Sequence, residues 1–270
     1  MQQQEKIRNT DWDILIIIDA CRFDYFEAFY KETLGDIGVL SKVNSPAAWT
    51  VGWLKMTFEN HPMMDTVLIW DHPVADRIRL IQKQIELGKT FDVRGNFKKT
   101  YDMWDIGYDK KLGYLPPELT TNKVFEELKE NKNQRVIAKY RQIHDPYLYY
   151  KGETKLPIKK PRYSSLRKVL YEIISDEVMW TVRDKLNFMP ESWLNAIWLK
   201  YGKEGIIKGY TEDFKLMLNH AKRIIDGFPN KNIVVTADHG ERLGEKGRYS
   251  HGGKLEKVIK EVPWLEIRRH

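Results

Sequence analysis

The chain has 270 residues, 42% of them hydrophobic, and a formal net charge of +7. That length suits a single large α/β domain with a substantial buried core. The one cysteine, Cys21, excludes an intramolecular disulfide. Positive charge favours anionic partners, but the lysines and arginines are spread along the whole chain without forming a basic arm. The basic stretch 155–162 (KLPIKKPR) reads as a solvated loop, so nucleic acid is not indicated. Nine tryptophans and fourteen tyrosines read as core and groove packing rather than a stacking platform for bases. The opening MQQQEKIRNT has no apolar stretch of the secretory kind, and no run is long enough to span a bilayer. The expectation is a soluble, cytoplasmic chain.

In chain order, residues 13–19 (DILIIID) form a short apolar run between carboxylates, the pattern of a strand buried on both faces of a parallel sheet. Around Ser45–Thr50, SPAAWT reads as a turn feeding a helix. A second strand is expected at 66–70 (TVLIW) and a helix at 76–87. Residues 88–118 read as an irregular excursion closed by Pro116 and Pro117. A helix at 119–130 and a strand at 135–143 (RVIAKYRQI) follow. Residues 151–205 begin as a basic, proline-bearing loop and continue as helices carrying Trp180, Trp193 and Trp198. This segment reads as an insertion over one end of the sheet, either a cap or a homo-oligomer contact. Tyr210, Phe214, Met217, Ala221 and Ile224 then mark a helical stripe before strands at 232–237 (NIVVTA) and 262–267 (VPWLEI). Alternating strands and helices predict an α/β fold: a mostly parallel central sheet flanked by helices. Residues 1–270 form one domain with a helical insertion at about 151–205.

The chemistry gathers at strand ends, where open α/β sheets place their sites. The NIVVTA strand runs straight into Asp238-His239-Gly240, and His251 follows in a second glycine-rich turn. A carboxylate and an imidazole together suit a borderline divalent ion such as Zn²⁺ or Mn²⁺, with Gly240 letting the backbone turn sharply beneath it. The first strand delivers Asp19, which can share that ion or simply cap the next helix. Thr50 is either an N-cap or a nucleophile placed where helix N–H groups attract a phosphoryl group. His144 follows a predicted strand; with His251 it can hold a second metal, bind substrate oxygens or protonate a leaving group. Asp71-His72-Pro73 also ends a strand and ranks lower, as a structural turn. Arg22, Lys55, Arg242 and Lys246 lie near the proposed ligands in sequence and each reads singly as a surface residue.

The segment ADHGERLGEKGRYSHGG resembles the metal-binding segment of the alkaline-phosphatase and sulfatase-like superfamily, phosphoethanolamine transferases and lipoteichoic acid synthases above all. WDILIIIDACRFDYF resembles the opening strand and first metal carboxylate of sulfatase-like proteins, including archaeal members with a D-A-C-R signature. The resemblance runs from Asp11 to Ile267 and is poor over 151–205. It implies an alkaline-phosphatase-like fold with one or two divalent ions, Zn or Mn. Asp19, Thr50, Asp238 and His239 would surround the principal ion, with Thr50 the nucleophile and Ser45 its alternative. His144 and His251 would bind a second ion or the substrate phosphate. Cys21 does not fit the formylglycine signature of classical sulfatases, so the expected substrate is an anionic phosphate ester, hydrolysed or transferred through a phospho-threonine. A phosphodiesterase or phosphomutase of the same superfamily, or a non-catalytic binding module, are the alternatives.

Overall fold

The computed structural model describes residues 1–71, 93–107, 114–151, 173–186, 188, 190 and 192–268. Its elements are α1 (Gln3–Asn9), β1 (Ile14–Ile18), α2 (Phe23–Leu34), β2 (Val39–Asn44), α3 (Thr50–Phe58), β3 (Met63–Trp70), β4 (Phe97–Asp102) and α4 (Met103–Gly107). They continue with α5 (Pro117–Glu130), β5 (Arg135–Tyr140), α6 (Asp176–Lys185), α7 (Trp193–Gly227), β6 (Ile233–Ala237), β7 (Arg242–Glu245), β8 (Arg248–Ser250), α8 (Lys257–Lys260) and β9 (Glu261–Ile267).

Seven strands form the central sheet in the order β2-β9-β6-β1-β5-β3-β4, and β7 and β8 make a separate hairpin. The run from β6 through β1, β5 and β3 to β4 is parallel, while β9 lies antiparallel to both β6 and β2. The expected mostly parallel sheet is thus present, with one reversed strand near an edge. All five residues of β1 and of β6 are buried, as the Ile and Leu run of β1 and the IVVTA of β6 suit central strands covered on both faces. By contrast, β2 and β4 (VLSKVN and FKKTYD) are polar edge strands with exposed positions, and both lie outside the expected strand set. β4 falls inside what the sequence suggested was an irregular excursion.

Helices cover both faces. On one, Tyr140 of β5 meets Thr121 of α5, which in turn meets His220 of α7, and Phe26 of α2 packs edge-on against Phe214 of α7. On the other, Gln3 of α1 donates to Thr236 Oγ1 and the Ala237 carbonyl of β6 and accepts from Trp53 Nε1 of α3. The expected helix at 119–130 appears as α5. The expected helix at 76–87 and the basic stretch 155–162 lie outside the described residues. The strand expected over 135–143 stops at Tyr140, because the chain turns there to present His144.

The helical stripe beginning at Tyr210 belongs to α7, which extends upstream to Trp193 and breaks at Gly202 (φ 68°, ψ −167°), a left-handed conformation that glycine adopts without steric cost. Residues 193–201 and 203–227 are thus two helical segments that meet at a glycine. Asp213 of α7 accepts the Leu148 and Tyr149 amides at 2.6 and 2.8 Å, and the Tyr147 ring lies so close to Gly209 that a Cβ there would meet Cδ2 at 2.5 Å. The loop after β5, which carries His144, is clamped to α7 by these contacts. No helix among the described residues is long and apolar enough to cross a membrane.

Candidate metal centre

Register and pleat put the site together. Ile18 of β1 lies opposite Ala237 of β6, so the next residues, Asp19 and Asp238, leave adjacent strands side by side. Lys139 of β5 lies opposite Ile17, and Ile17 opposite Thr236. Side chains alternate along a strand, so Lys139, Asp19 and Asp238 share one face. That face is the one covered by α1 and α3, and α3 begins at Thr50. Four side chains from four elements thus converge although sequence separates them widely.

Asp19, Lys139, Asp238 and His239 are completely buried and Thr50 nearly so. Thr50 Oγ1 lies 2.8 Å from Asp238 Oδ2, 3.1 Å from Asp19 Oδ2 and 3.5 Å from His239 Nε2. Asp19, Asp238 and His239 each offer a ligand atom within 4.8 Å of the others. The His239 ring bears on what this donor set could hold. A carbonyl oxygen only accepts, so Nδ1, 3.0 Å from the Gly240 carbonyl, carries the proton. Nε2 then presents a lone pair toward Asp19 Oδ1 at 3.5 Å and Asp238 Oδ2 at 3.7 Å. Burial lowers the His239 pKa, which keeps the ring neutral. A lone pair facing two carboxylates and a hydroxyl fits a cation among them, and a backbone-held imidazole is how histidine ligands are oriented.

The turn that delivers Asp19 is also held tightly. Ala20 has a positive φ of 58°, sparsely populated for a residue with a Cβ. The Tyr210 hydroxyl donates to the Ala20 carbonyl at 2.9 Å and accepts from the Arg22 amide at 3.0 Å, bracketing the turn. Asp19 does not cap α2, whose N-cap is Arg22, so the capping alternative is not what the structure shows. Thr50 is likewise the first helical residue of α3 rather than its N-cap, which is Trp49. Gly240 serves close approach: a Cβ there would sit 2.0 Å from the Val258 carbonyl oxygen, and its amide donates to the Ile259 carbonyl.

His144 and His251 come together beside the cluster. The rings of His251 and His239 are 4.2 Å apart and those of His144 and His251 are 4.8 Å apart. His144 Nδ1 lies 2.6 Å from the Asp145 carbonyl and 3.0 Å from Asp145 Oδ1. His251 Nδ1 donates to Glu241 Oε2 at 3.1 Å. Burial opposes charge on His251, but the adjoining Glu241 carboxylate prevails and pushes its pKa up to about 9. Glu241 escaped notice in the sequence, although it directly follows the Asp-His-Gly run.

Several other candidates lie elsewhere. Ser45 donates to main-chain carbonyls, of Ala47 and of Asp238, and does not meet the carboxylate pair. Arg22 is tied to Asp24 and Glu245, and Arg242 to Glu256 and loop carbonyls. Lys55 pairs with Glu59 on an accessible face of α3, and Lys246 is exposed in the hairpin turn. The cation that does reach the cluster is Lys139, which sequence reasoning passed over: its Nζ lies 3.0 Å from Asp19 Oδ2 and 3.1 Å from Asp238 Oδ2. Burial works against its charge, yet the two carboxylates raise its pKa above the ordinary lysine value. A lysine following the apolar run Val136–Ala138 of β5 was the available signal.

Of the competing Asp71-His72-Pro73 motif, only Asp71 lies among the described residues. It stands outside the three-ligand group and is fully buried; among the described residues no group meets its carboxylate with good hydrogen-bond geometry, the Arg141 amide coming nearest to doing so. Burial pushes its pKa from 3.8 up to about 8. The unfolded chain gives up this proton near pH 4 and the folded chain keeps it to near pH 8, so the group's stabilising contribution is complete at low pH and is lost across that window. The stability advantage of Asp71→Asn over the native chain should therefore grow by about 1.4 kcal/mol per pH unit between pH 5 and 8. Urea denaturation at several pH values checks this; a constant difference would mean that Asp71 is already ionised in the folded protein.

No family model matches the chain, and no curated protein matches it in sequence. Solved structures do. The integral membrane lipooligosaccharide phosphoethanolamine transferase A (EptA) of Neisseria meningitidis superposes with a TM-score of 0.60 at 15% identity, over 96% of this chain and 48% of that one. This chain therefore spans about half the length of that protein. The C-terminal periplasmic domain of the phosphoethanolamine transferase EptC of Campylobacter jejuni gives 0.57 at 17% identity, over 94% of this chain and 77% of that one. A phosphonate monoester hydrolase of Agrobacterium radiobacter gives 0.56 at 13%, over 95% and 68%. At such identities the likeness speaks for architecture: the chain has the alkaline-phosphatase and sulfatase-like fold.

Proposed function

We propose that this protein is a metal-dependent hydrolase or transferase of phosphate esters that works through a covalent phospho-threonine at Thr50. The observation that carries the reading is the Thr50 hydroxyl in contact with Asp19, Asp238 and His239 at the first residue of a helix. Asp19, Asp238, His239 and Thr50 would hold one divalent ion, and two carboxylates, an imidazole and a hydroxyl suit Zn²⁺ or Mn²⁺. Bound there, the ion would supply Lewis acidity that lowers the hydroxyl's pKa and draws charge from the phosphoryl oxygens.

The remaining work falls to the chain. Asp238 Oδ2 orients the Thr50 hydroxyl toward phosphorus. The first turn of α3, which has no side-chain cap, offers amide N–H groups to an anionic phosphoryl group. Thr50 Oγ1, its proton released to solvent beforehand, forms a bond to phosphorus as the bond to the leaving oxygen breaks. His251, kept protonated by Glu241, donates its proton to that oxygen. The neutral imidazole then accepts a proton from water or an acceptor alcohol as that group displaces Thr50 Oγ1 from phosphorus. His144, beside His251, would bind substrate oxygens. The neighbours named as phosphoethanolamine transferases and a phosphonate monoester hydrolase support chemistry at phosphorus for this fold.

The test is to trap the intermediate. Protein loaded with Zn²⁺ or Mn²⁺, mixed with an aryl phosphate and quenched in acid, should yield a phosphorylated peptide with the modification on Thr50. Turnover with phosphate on Ser45, or with no modified residue, would overturn the nucleophile assignment.

A further inference from the structure

Lys139 is an unusual residue to find at this place. It sits in β5 between fully buried Ala138 and Tyr140, with Ile17 and Trp70 as its strand partners on either side. Its stem is surrounded by core, and its ammonium ends between the two carboxylates that would carry most of the negative charge toward a metal. The same two oxygen atoms, Asp19 Oδ2 and Asp238 Oδ2, meet both Lys139 Nζ and Thr50 Oγ1. An ammonium offers three donors, enough to hold both carboxylates at once, and its charge is not screened by solvent at zero exposure.

We infer that Lys139 is a built-in counter-ion of the metal carboxylates: it holds them in place without metal, and it sets the metal affinity lower than the ligands alone would give. The inference rests on the metal-binding reading of Asp19, Asp238 and His239. Its physics is simple. Two fully buried carboxylates with oxygens within 4.8 Å repel one another away from solvent; one ammonium between them removes much of that cost. A dication entering the group is then attracted by two negative charges but repelled by a positive charge that touches the same oxygens. Lys139 therefore acts in opposite directions on the two states, favouring the metal-free fold and opposing occupancy. It does this as a positioning residue that holds the ligands.

Lys139→Met keeps much of the stem's volume and removes the charge, and Lys139→Gln keeps a hydrogen-bond donor without it. Zn²⁺ and Mn²⁺ binding to the native chain and both variants, measured by calorimetry with a competing chelator, is read beside thermal melting with and without metal. Both variants should bind metal at least about tenfold more tightly than the native protein. Their metal-free melting temperatures should fall, and added metal should restore more of the loss than it adds to the native chain. A purely structural role would weaken binding when the lysine is lost, so unchanged or weaker affinity in both variants overturns the inference. A variant that folds only with metal supports it, and one that fails to fold with metal at saturation counts against it. If the native chain binds neither ion but the variants do, Lys139 excludes the metal, the inference stands and the metal-dependent function falls. If none of the three binds, both fall together.

Discussion

Thr50→Ala is expected to slow turnover of an aryl phosphate by at least about a thousandfold while the protein stays folded and still takes up metal. The expectation follows from what the residue touches. Among the described residues its hydroxyl is the one nucleophile that meets both carboxylates, and it approaches His239 Nε2 at 3.5 Å, whereas Asp19, Asp238 and His239 remain to hold an ion after its loss. Thr50 is the first residue of α3 and not its cap, so alanine there forfeits no capping bond. The cost to folding is the loss of a hydrogen bond to a carboxylate, about 1.5–3 kcal/mol. Thr50→Ser should recover a large part of the activity, because it keeps the oxygen and loses only a methyl group. Steady-state turnover and metal content measured on the same preparations separate the two effects. A Thr50→Ala protein with native turnover would remove the covalent mechanism, and Ser45 could not simply replace it, since its hydroxyl is bonded to the carbonyls of Ala47 and Asp238.

The half of the site that was legible in sequence lies on central strands. Runs of Ile, Leu and Val long enough to be covered on both faces announce β1 and β6, and a carboxylate straight after such a run must emerge at the carboxyl end of the sheet. Asp19 and Asp238 could be placed on that ground alone. The pairing of β1 with β6, which makes them neighbours, depends on strand order, and periodicity says nothing of it. Lys139 was hidden for the same reason: its carboxylate partner Asp19 is 120 residues away, and a lysine in a strand ordinarily suggests a solvated position. Edge strands β2 and β4 escaped notice because an edge needs little apolar burial and carries lysines that discourage further pairing. Thr50 was set above Ser45 only through the family resemblance, since five residues separate them and both hydroxyls are buried; the start of α3 decides which one meets the carboxylates.

Asp238→Asn should be more damaging than loss of the nucleophile, because this side chain serves four neighbours through two oxygens. Oδ1 accepts the His239 and Ala20 amides at 2.9 and 3.2 Å; Oδ2 meets Thr50 Oγ1 at 2.8 Å and Lys139 Nζ at 3.1 Å. An asparagine has one acceptor oxygen and one NH₂ group. If its oxygen faces the amides, the NH₂ confronts the Lys139 ammonium; if it is turned over, the NH₂ confronts two main-chain N–H groups. Donor meets donor in either orientation, in a place without water. Lys139 is also left with Asp19 alone as its anionic partner, and removing one member of a buried ion pair costs about 3–5 kcal/mol. Metal affinity should fall by at least about a hundredfold and turnover by at least about a thousandfold. Elemental analysis after dialysis, urea denaturation and turnover of the same aryl phosphate check the three effects. The pattern, rather than activity alone, carries the argument: Thr50→Ala is inactive but loaded and stable, while Asp238→Asn is inactive, empty and weakened. An Asp238→Asn protein that keeps its metal and its rate would leave Asp19, Asp238 and Lys139 as a buried ion cluster of the core, with the catalytic centre still to be found.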